Sequence, residues 1–287
     1  MLPQCGVVPY DLWRFFLSLL ILSESPMQLV EIYIHPLKSC RGNRLDSALV
    51  EAMGLEHDRR WMLIDIDGNF MTGRQYPKLV LIEVVADEAG ATFSARGADT
   101  LRVEHQEMVE RLPVVVWRSA FDAQTGSWNA DFWFSDFLGV ACRLVYIGTD
   151  TSRRSNIDPT VPVGFADGYP LLLIGSASLA DLNTRLSQPV TMRHFRPNLV
   201  INTEHAYAED DWRHIRIGDV MFENVKPCAR CIFTTVDPDS ATLHAERQPL
   251  EALNTYRRSE SGTIFGVNLV ARSQGVLRLN DPVVVLD

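Results

Sequence analysis

RWMLIDIDGNFMTGRQ, Arg60–Gln75, is the stretch that decides the fold. Two extended runs, Arg60–Ile66 and Asn69–Gln75, flank Asp67-Gly68, and an Asp-Gly pair between such runs predicts a β-hairpin because both turn residues tolerate positive φ. Upstream, Leu29, Val30, Ile32 and Ile34 make a half-alternating strand that stops at His35-Pro36, since proline has no N–H for a ladder. A loop follows at Leu37–Asn43. Downstream, strands are expected at Leu79–Val85, Thr92–Ala95, Val114–Trp117 and Arg143–Ile147.

Helices are few. Asn129–Leu138 opens on a capping residue, spaces its aromatics helically and meets Gly139 as a stop. Ser178–Leu186 opens with Ser-x-x-Asp and repeats Leu179, Leu182 and Leu186, while Leu250–Arg258 follows Pro249 as a first-turn proline. The polar stretch Thr149–Pro162 is the longest loop-like segment and places a boundary near residue 147. The expected organisation is an extension over residues 1–26, a domain over 27–147 and a second over 148–287. Within the second, Ile215–Val220 and Leu277–Pro282 repeat one strand-turn-strand unit, which suits a small β-barrel.

With 287 residues, 46% hydrophobic and 22% charged, the chain can bury roughly three quarters of its unfolded surface. Disorder, collagen and a polytopic membrane protein are excluded. The 27 basic against 36 acidic residues leave −9, which argues against a nucleic-acid surface, so a bound anion needs a local basic pocket. Cys5, Cys40, Cys142, Cys228 and Cys231 are odd in number with one close pair, so no disulfide framework is implied and a reducing cytoplasm is the expected home. The apolar run Phe15–Leu22 is too short to span a bilayer and lacks a basic flank and a cleavage site. It is read as lying outside the fold, with a weak membrane or partner contact through residues 12–22 as the other reading.

The chain has no His-Glu-x-x-His, no Gly-x-Ser-x-Gly and no Gly-x-Gly-x-x-Gly opening a helix. Gly68–Gly73 has phosphate-loop glycine spacing, but Arg74-Gln75 replaces Lys-Ser/Thr and the segment is a hairpin arm. What remains is Lys226-Pro-Cys228-Ala-Arg230-Cys231, between strand-like Val220–Val225 and Ile232–Val236. A structural zinc site would need two more ligands, and a thioredoxin-type pair would sit at a helix N-terminus. The other readings are one working thiolate beside a small buried partner, or two inert packed thiols. Lys226 and Arg230 would help keep a thiolate ionised, and a soft thiolate suits molybdenum, copper or iron.

A second constellation consists of cations in apolar or turn contexts: Lys38 beside Ser39, Arg59 in Asp58-Arg-Arg-Trp61, Arg74, Arg196 in Phe195-Arg-Pro-Asn198, and Arg230. Each alone suits a solvated surface charge. Converging, they would form an anion pocket beside the thiolate, with Ser39 and Asn198 adding neutral hydrogen bonds.

The segments Ile34–Gly42 (IHPLKSCRG), Gly54–Asp65 (GLEHDRRWMLID), Phe165–Ile174 (FADGYPLLLI), Ser178–Asn183 (SLADLN), Phe195–Asn202 (FRPNLVIN), Asp210–Val220 (DDWRHIRIGDV) and Lys226–Pro238 (KPCARCIFTTVDP) carry a resemblance. From Leu29 to Leu286 the chain resembles the MOSC family with its N-terminal β-barrel domain, nearest the bacterial YcbX-like proteins and related to the mitochondrial amidoxime-reducing components. The resemblance implies a β-rich α/β fold of two domains, an N-terminal β-barrel-like domain and a C-terminal β-barrel with few helices. The implied ligand is the molybdenum cofactor, a pterin with a dithiolene and a terminal phosphate; such domains also carry a generic association with pyridoxal phosphate. The metal-ligating cysteine falls on Cys231, and the cofactor-binding positions on Lys38, Ser39, Arg59, Arg196 and Arg230, with Asn198 in the same motif as Arg196. A binding serine of some relatives is Ala229 here, and a Thr-Ser pair is Gly168-Tyr169.

The activity implied is reduction of N-hydroxylated compounds, such as hydroxylamino bases, amidoximes and hydroxylamines. Asp167 is the candidate for proton delivery or for orienting a neighbour; a turn carboxylate capping a backbone amide is the plainer reading. Many YcbX-like relatives continue into a ferredoxin domain with Cys-x₄-Cys-x₂-Cys spacing, but this sequence encodes no iron–sulfur site. Electrons are therefore expected from a separate flavoprotein or small ferredoxin. The alternative from another class is a non-redox module that carries the cofactor or sulfur on Cys231.

Overall fold

The computed structural model describes residues 26–148 and 150–287. The apolar run at 15–22 and the contact expected through residues 12–22 lie outside the described residues.

Nine strands make the largest sheet. Its order is β19 (Val283–Val285), β14 (His214–Ile217), β15 (Val220–Ala229), β17 (Gly262–Ala271), β12 (Leu171–Gly175), β13 (Leu199–Ile201), β1 (Leu29–Ile34) and β2 (Asn43–Leu45), with β16 (Arg258–Ser259) paired on β17. β12 and β13 run parallel, Leu173 opposite Leu199, whereas β1 meets β13 antiparallel with Ile32 opposite Leu199. The sheet thus joins the start of the chain to its last third. A three-stranded sheet does the same, ordering β18 (Gly275–Arg278), β3 (Ser47–Glu51) and β4 (Gly54–Leu55). The inward residues of both sheets, including Ile32, Val50, Leu55, Leu173, Phe222, Leu269 and Leu277, form one core.

A four-stranded sheet orders β5 (Trp61–Ile64), β11 (Arg143–Tyr146), β10 (Ser119–Thr125) and β9 (Glu110–Val116). A three-stranded meander, β6 (Glu83–Ala86), β7 (Gly90–Ser94) and β8 (Leu101–Glu104), lies beside it. Helix α1 (Trp128–Leu138) packs Ala130 and Phe134 into a second core with Trp61, Phe93 and Leu144. Phe93 meets Trp61 and Phe134 edge to face, at centroid separations of 5.8 and 5.1 Å. Burying a side chain of this size stabilises the fold by about 1.5–3 kcal/mol. Two further helices, α2 (Ser176–Asn183) and α3 (Leu250–Tyr256), complete a β-rich α/β fold. Among the described residues no helix is long and apolar enough to cross a membrane.

The structure departs from the sequence reading in four places. Asp67-Gly68 turns as expected, with Gly68 at φ 84° and the Asp65 side chain accepting from the Asn69 amide, but Asn69–Gln75 is no strand. The edge of β5 is instead shared between Leu37 and Phe70 as isolated bridges. Pro77–Leu81 is a 3-10 turn before β6, because Leu79 and Ile82, three residues apart, both point into the core. Ile232–Thr235 is likewise a 3-10 turn rather than a strand. Thr234 and Thr235 donate their hydroxyls back to the carbonyls of Cys231 and Ile232, at 3.0 and 2.8 Å, a local alternative to a ladder. Helix α2 starts two residues early, since Ser178 is not its cap: the hydroxyl is buried and donates to Glu209.

The internal repeat is structural. β14 and β18 each run through a left-handed residue, Gly218 (φ 54°) and Asn280 (φ 69°), into the next strand, and β14 pairs with β19. Glycine and asparagine are the two residue types that adopt this conformation most readily.

Candidate functional site

A cavity of about 430 Å³ opens where loops from both ends of the chain converge. Lys38, Ser39, Arg59, Arg74 and Trp117 line it from the first half, and residues 166–172, 194–196, 198, 226–231, 233 and 234 from the second. Six of its lining residues are Lys or Arg, namely Lys38, Arg59, Arg74, Arg196, Lys226 and Arg230, against the single carboxylate of Asp167. In a chain of net charge −9 this is a concentrated anion-binding field.

The local backbone explains how the groups are presented. Ser39, Arg59, Trp117 and Arg196 all have left-handed φ, at 69°, 48°, 57° and 56°. Non-glycine residues pay a steric cost there, and such strain collects where a site needs a side chain aimed against the run of the chain. Arg196 reaches across to donate Nη1 to the carbonyl of Cys40, and its guanidinium lies 5.5 Å from the Phe233 ring centre. Burial and the neighbouring Arg59 charge press the Arg196 basicity downward. The charge of a bound anion would oppose both effects.

Arg59 donates Nη1 to Asp58 Oδ2 at 2.5 Å and to Asn198 Oδ1 at 2.8 Å, and Nη2 to the carbonyl of Arg196 at 3.2 Å. Asn198 is spent on the protein: it also accepts from the Leu172 amide at 3.1 Å and donates to the Tyr33 carbonyl at 3.1 Å. It therefore ties β1, β12 and Arg59 together and serves the cavity by placing Arg59. Arg60, the neighbour of Arg59, turns the other way to pair with Glu51.

Lys38 is buried, 7% exposed, and donates Nζ to the Phe165 carbonyl at 2.7 Å and to Asp167 Oδ1 at 2.5 Å. Desolvation lowers the Lys38 basicity, and Asp167 opposes that shift. Partial desolvation pushes the Asp167 carboxyl up. The Lys38 charge, the Lys38 and Trp117 hydrogen bonds and the Arg74 charge outweigh it, so the group is held well below the ordinary carboxylate range. Asp167 thus accepts from Lys38 and fixes the direction in which its ammonium points.

The cysteine pair splits in role. Cys228 lies one residue before the end of β15, half-buried, and its sulfur accepts from Arg230 Nη1 at 3.0 Å; Arg230 Nη2 goes to the Phe195 carbonyl at 2.7 Å. Cys231 starts the 3-10 turn and is exposed in the cavity wall. Four cysteines are free among the described residues, and no group of three or more His, Cys, Asp or Glu is placed to hold a metal. A zinc site has no second pair to complete it, and a thioredoxin-type pair has no helix dipole, since a four-residue 3-10 turn follows Cys231. Ala229, Gly168 and Tyr169 also line the cavity.

Four contributors are not singled out by the sequence reading. Arg153, 4% exposed, donates to the carbonyls of Gly164, Ala166 and Asp167 and so shapes the Asp167 loop. Trp117, at the β9–β10 turn, donates its indole N–H to Asp167 Oδ1 at 3.1 Å and stacks against Arg74 at 4.7 Å. His35 and Asp58, both buried, brace Arg59 from behind. Arg153 sits in a polar stretch that reads as solvated, and Trp117 closes an ordinary strand, so only the Asp58-Arg59 adjacency carried a sequence signal.

The cavity and its thiol fit a pterin cofactor with a terminal phosphate. Its volume is of ligand size, its lining is cationic, and Arg230 Nε is buried without a protein partner among the described residues. The sequence of residues 27–141 matches the MOSC N-terminal beta barrel domain, and that of residues 160–284 matches the MOSC domain. Mitochondrial amidoxime-reducing component 1 of Mus musculus is 34% identical over 277 residues, covering 89% of this chain and 81% of its own. Mitochondrial amidoxime reducing component 2 of Bos taurus is 33% identical over 274 residues, covering 88% and 81%. Component 1 of Homo sapiens is 34% identical over 283 residues, covering 89% and 82%. With both domains matched in order and relatives of this identity aligned along most of their length, the chain belongs to the MOSC-domain family, in the two-domain form shared with the mitochondrial amidoxime-reducing components.

Proposed function

We propose that this protein is a molybdenum-cofactor-dependent reductase of N-hydroxylated compounds, supplied with electrons by a separate flavoprotein or small ferredoxin. The observation that carries the reading is a ligand-sized cationic cavity with the exposed Cys231 thiol in its wall, in a chain about one-third identical to proteins named for amidoxime reduction. In this reading Cys231 is the thiolate ligand to the metal, a soft donor for a soft site. Arg59, Arg196 and Arg230, with Ser39, bind the phosphate and pterin as charge-assisted hydrogen-bond donors. When bound, the cofactor supplies the two-electron removal of oxygen from an N–OH group; the chain itself supplies binding, orientation and electrostatics.

The chain's own part in proton handling centres on Lys38. Its Nζ carries a proton in a poorly solvated position, and Asp167 Oδ1, ionised and 2.5 Å away, fixes the direction in which it points. Trp117 donates its indole N–H to the same Asp167 oxygen, so the carboxylate is held from two sides while it stays open to the cavity. The test is metal and pterin analysis of protein made in a molybdenum-replete host, with benzamidoxime reduction driven by reduced viologen. Stoichiometric molybdenum and pterin with turnover support the reading; protein that carries neither and reduces nothing refutes it.

A further inference from the structure

His35 follows β1, is 3% exposed and does not line the cavity. Its backbone and ring nevertheless join the two segments that present the cavity's guanidiniums. On one side, its N–H donates to Asp58 Oδ1 at 2.6 Å and its carbonyl accepts from the Arg59 N–H at 2.9 Å. On the other, ring Nε2 donates to the Pro197 carbonyl at 3.2 Å, the residue after Arg196. Arg59 itself bonds the carbonyl of Arg196 and the side chain of Asn198. Three consecutive residues, 196–198, are thereby each held by a donor from the first half of the chain.

We propose that His35 is a positioning residue: it pins the left-handed Arg59 to the left-handed Arg196 turn, so that both guanidiniums meet one anion. The inference rests on the cavity being the cofactor site. Ring Nδ1 is buried without a partner among the described residues, so the imidazole carries one satisfied and one unsatisfied nitrogen. A side chain kept only for stability would gain by losing the unpaired nitrogen. An uncharged ring between two guanidiniums is also what the pocket demands, and burial with the charges of Arg196 and Arg59 holds it neutral, well below its usual basicity. The ring fills the space that a side chain at position 42 would need: a Cβ built on Gly42 would lie only 2.4 Å from its Cε1.

The test compares wild type with His35→Phe, His35→Gln and Gly42→Ala, each made in a molybdenum-replete host, by pterin content per chain and by unfolding midpoint of the cofactor-free protein. His35→Phe keeps the ring shape but loses the donor, and Gly42→Ala displaces the ring without altering the cavity lining. Both should lower pterin content on the order of tenfold, the usual scale for removing a group that orients a ligand's partner, while His35→Gln, which keeps a donor near Nε2, recovers most of it. A purely structural role moves the unfolding midpoint in all three without this rescue. Equal pterin in wild type and His35→Phe overturns the pin, and should that variant fail to fold, Gly42→Ala decides in the same way. If wild type carries no pterin, the reading of the cavity falls instead. Titration of the same proteins with inorganic pyrophosphate then judges the pin, equal affinity in wild type and variants overturning it.

Discussion

Arg230 reaches Cys228 and not Cys231: its Nη1 donates to the Cys228 sulfur at 3.0 Å. The exposed thiol of Cys231 is left for a ligand, while Cys228 anchors a cation whose Nη2 is fixed on Phe195.

Cys231→Ser should therefore abolish reduction of benzamidoxime with reduced viologen, because a hydroxyl is a hard and poorly ionised substitute for a thiolate. Cys228→Ser keeps an acceptor for Arg230 and should retain most activity. Equal loss in both variants would point to a disulfide or zinc pair.

Arg59 and Arg196 separate binding from stability. Arg59→Ala leaves the interior carboxylate of Asp58, 1% exposed, without its ionic partner, at a cost of about 3 kcal/mol or more. Urea unfolding should show that loss, and Asp58→Asn in the same chain should recover much of it. Arg196 holds only the Cys40 carbonyl and the Phe233 ring, so Arg196→Ala should cost about 1 kcal/mol of stability while molybdenum content falls severalfold. Full molybdenum in Arg196→Ala would remove it from the pocket.

The Lys38–Asp167 pair predicts a pH dependence whose sign is set by the carboxylate. Asp167 titrates lower in the folded than in the unfolded chain, so it contributes stability above the unfolded value of about 3.9 and loses it as pH falls through the folded value. The difference in unfolding free energy between wild type and Asp167→Asn should be constant from pH 8 to pH 5 and shrink only in stronger acid. A difference that fades between pH 7 and pH 5 would mean that Asp167 is protonated in the working range and is a proton donor after all.

Arg153 predicts the largest effect outside the cavity lining. Its guanidinium serves three carbonyls of residues 164–167, and removing it strands those acceptors in the interior. Arg153→Ala should lose about 3 kcal/mol or more and most activity, while Arg153→Lys, with a point charge in place of a fork, should recover only part. A stability change within 0.5 kcal/mol, on the scale of exposed substitutions, would contradict this role.

The sequence by itself determined the β-rich character, from the Asp67-Gly68 turn and the alternation of Leu29–Ile34, and it determined the list of cations and the thiol that meet in the cavity. These were legible because turn chemistry and binary patterning act over a few residues, and because the motif segments carry their family pattern in the chain itself. It also carried the repeat, through Gly218 and Asn280 at matching turn positions. Only the tertiary structure decided who partners whom. Whether Arg59 or Arg60 enters the cavity depends on backbone handedness at a single residue, and whether Arg230 serves Cys228 or Cys231 depends on where β15 ends. That Asn198, a candidate ligand by its motif, also bonds Leu172, Tyr33 and Arg59 is visible only in the fold. The 3-10 turns at Pro77–Leu81 and Ile232–Thr235 overlap the expected strands Leu79–Val85 and Ile232–Val236 for the same reason: a short apolar run satisfies either period, and packing chooses between them. His35, Arg153 and Trp117 gained their places from contacts made between residues 35 and 197, 153 and 166, and 117 and 167, separations over which no local pattern speaks.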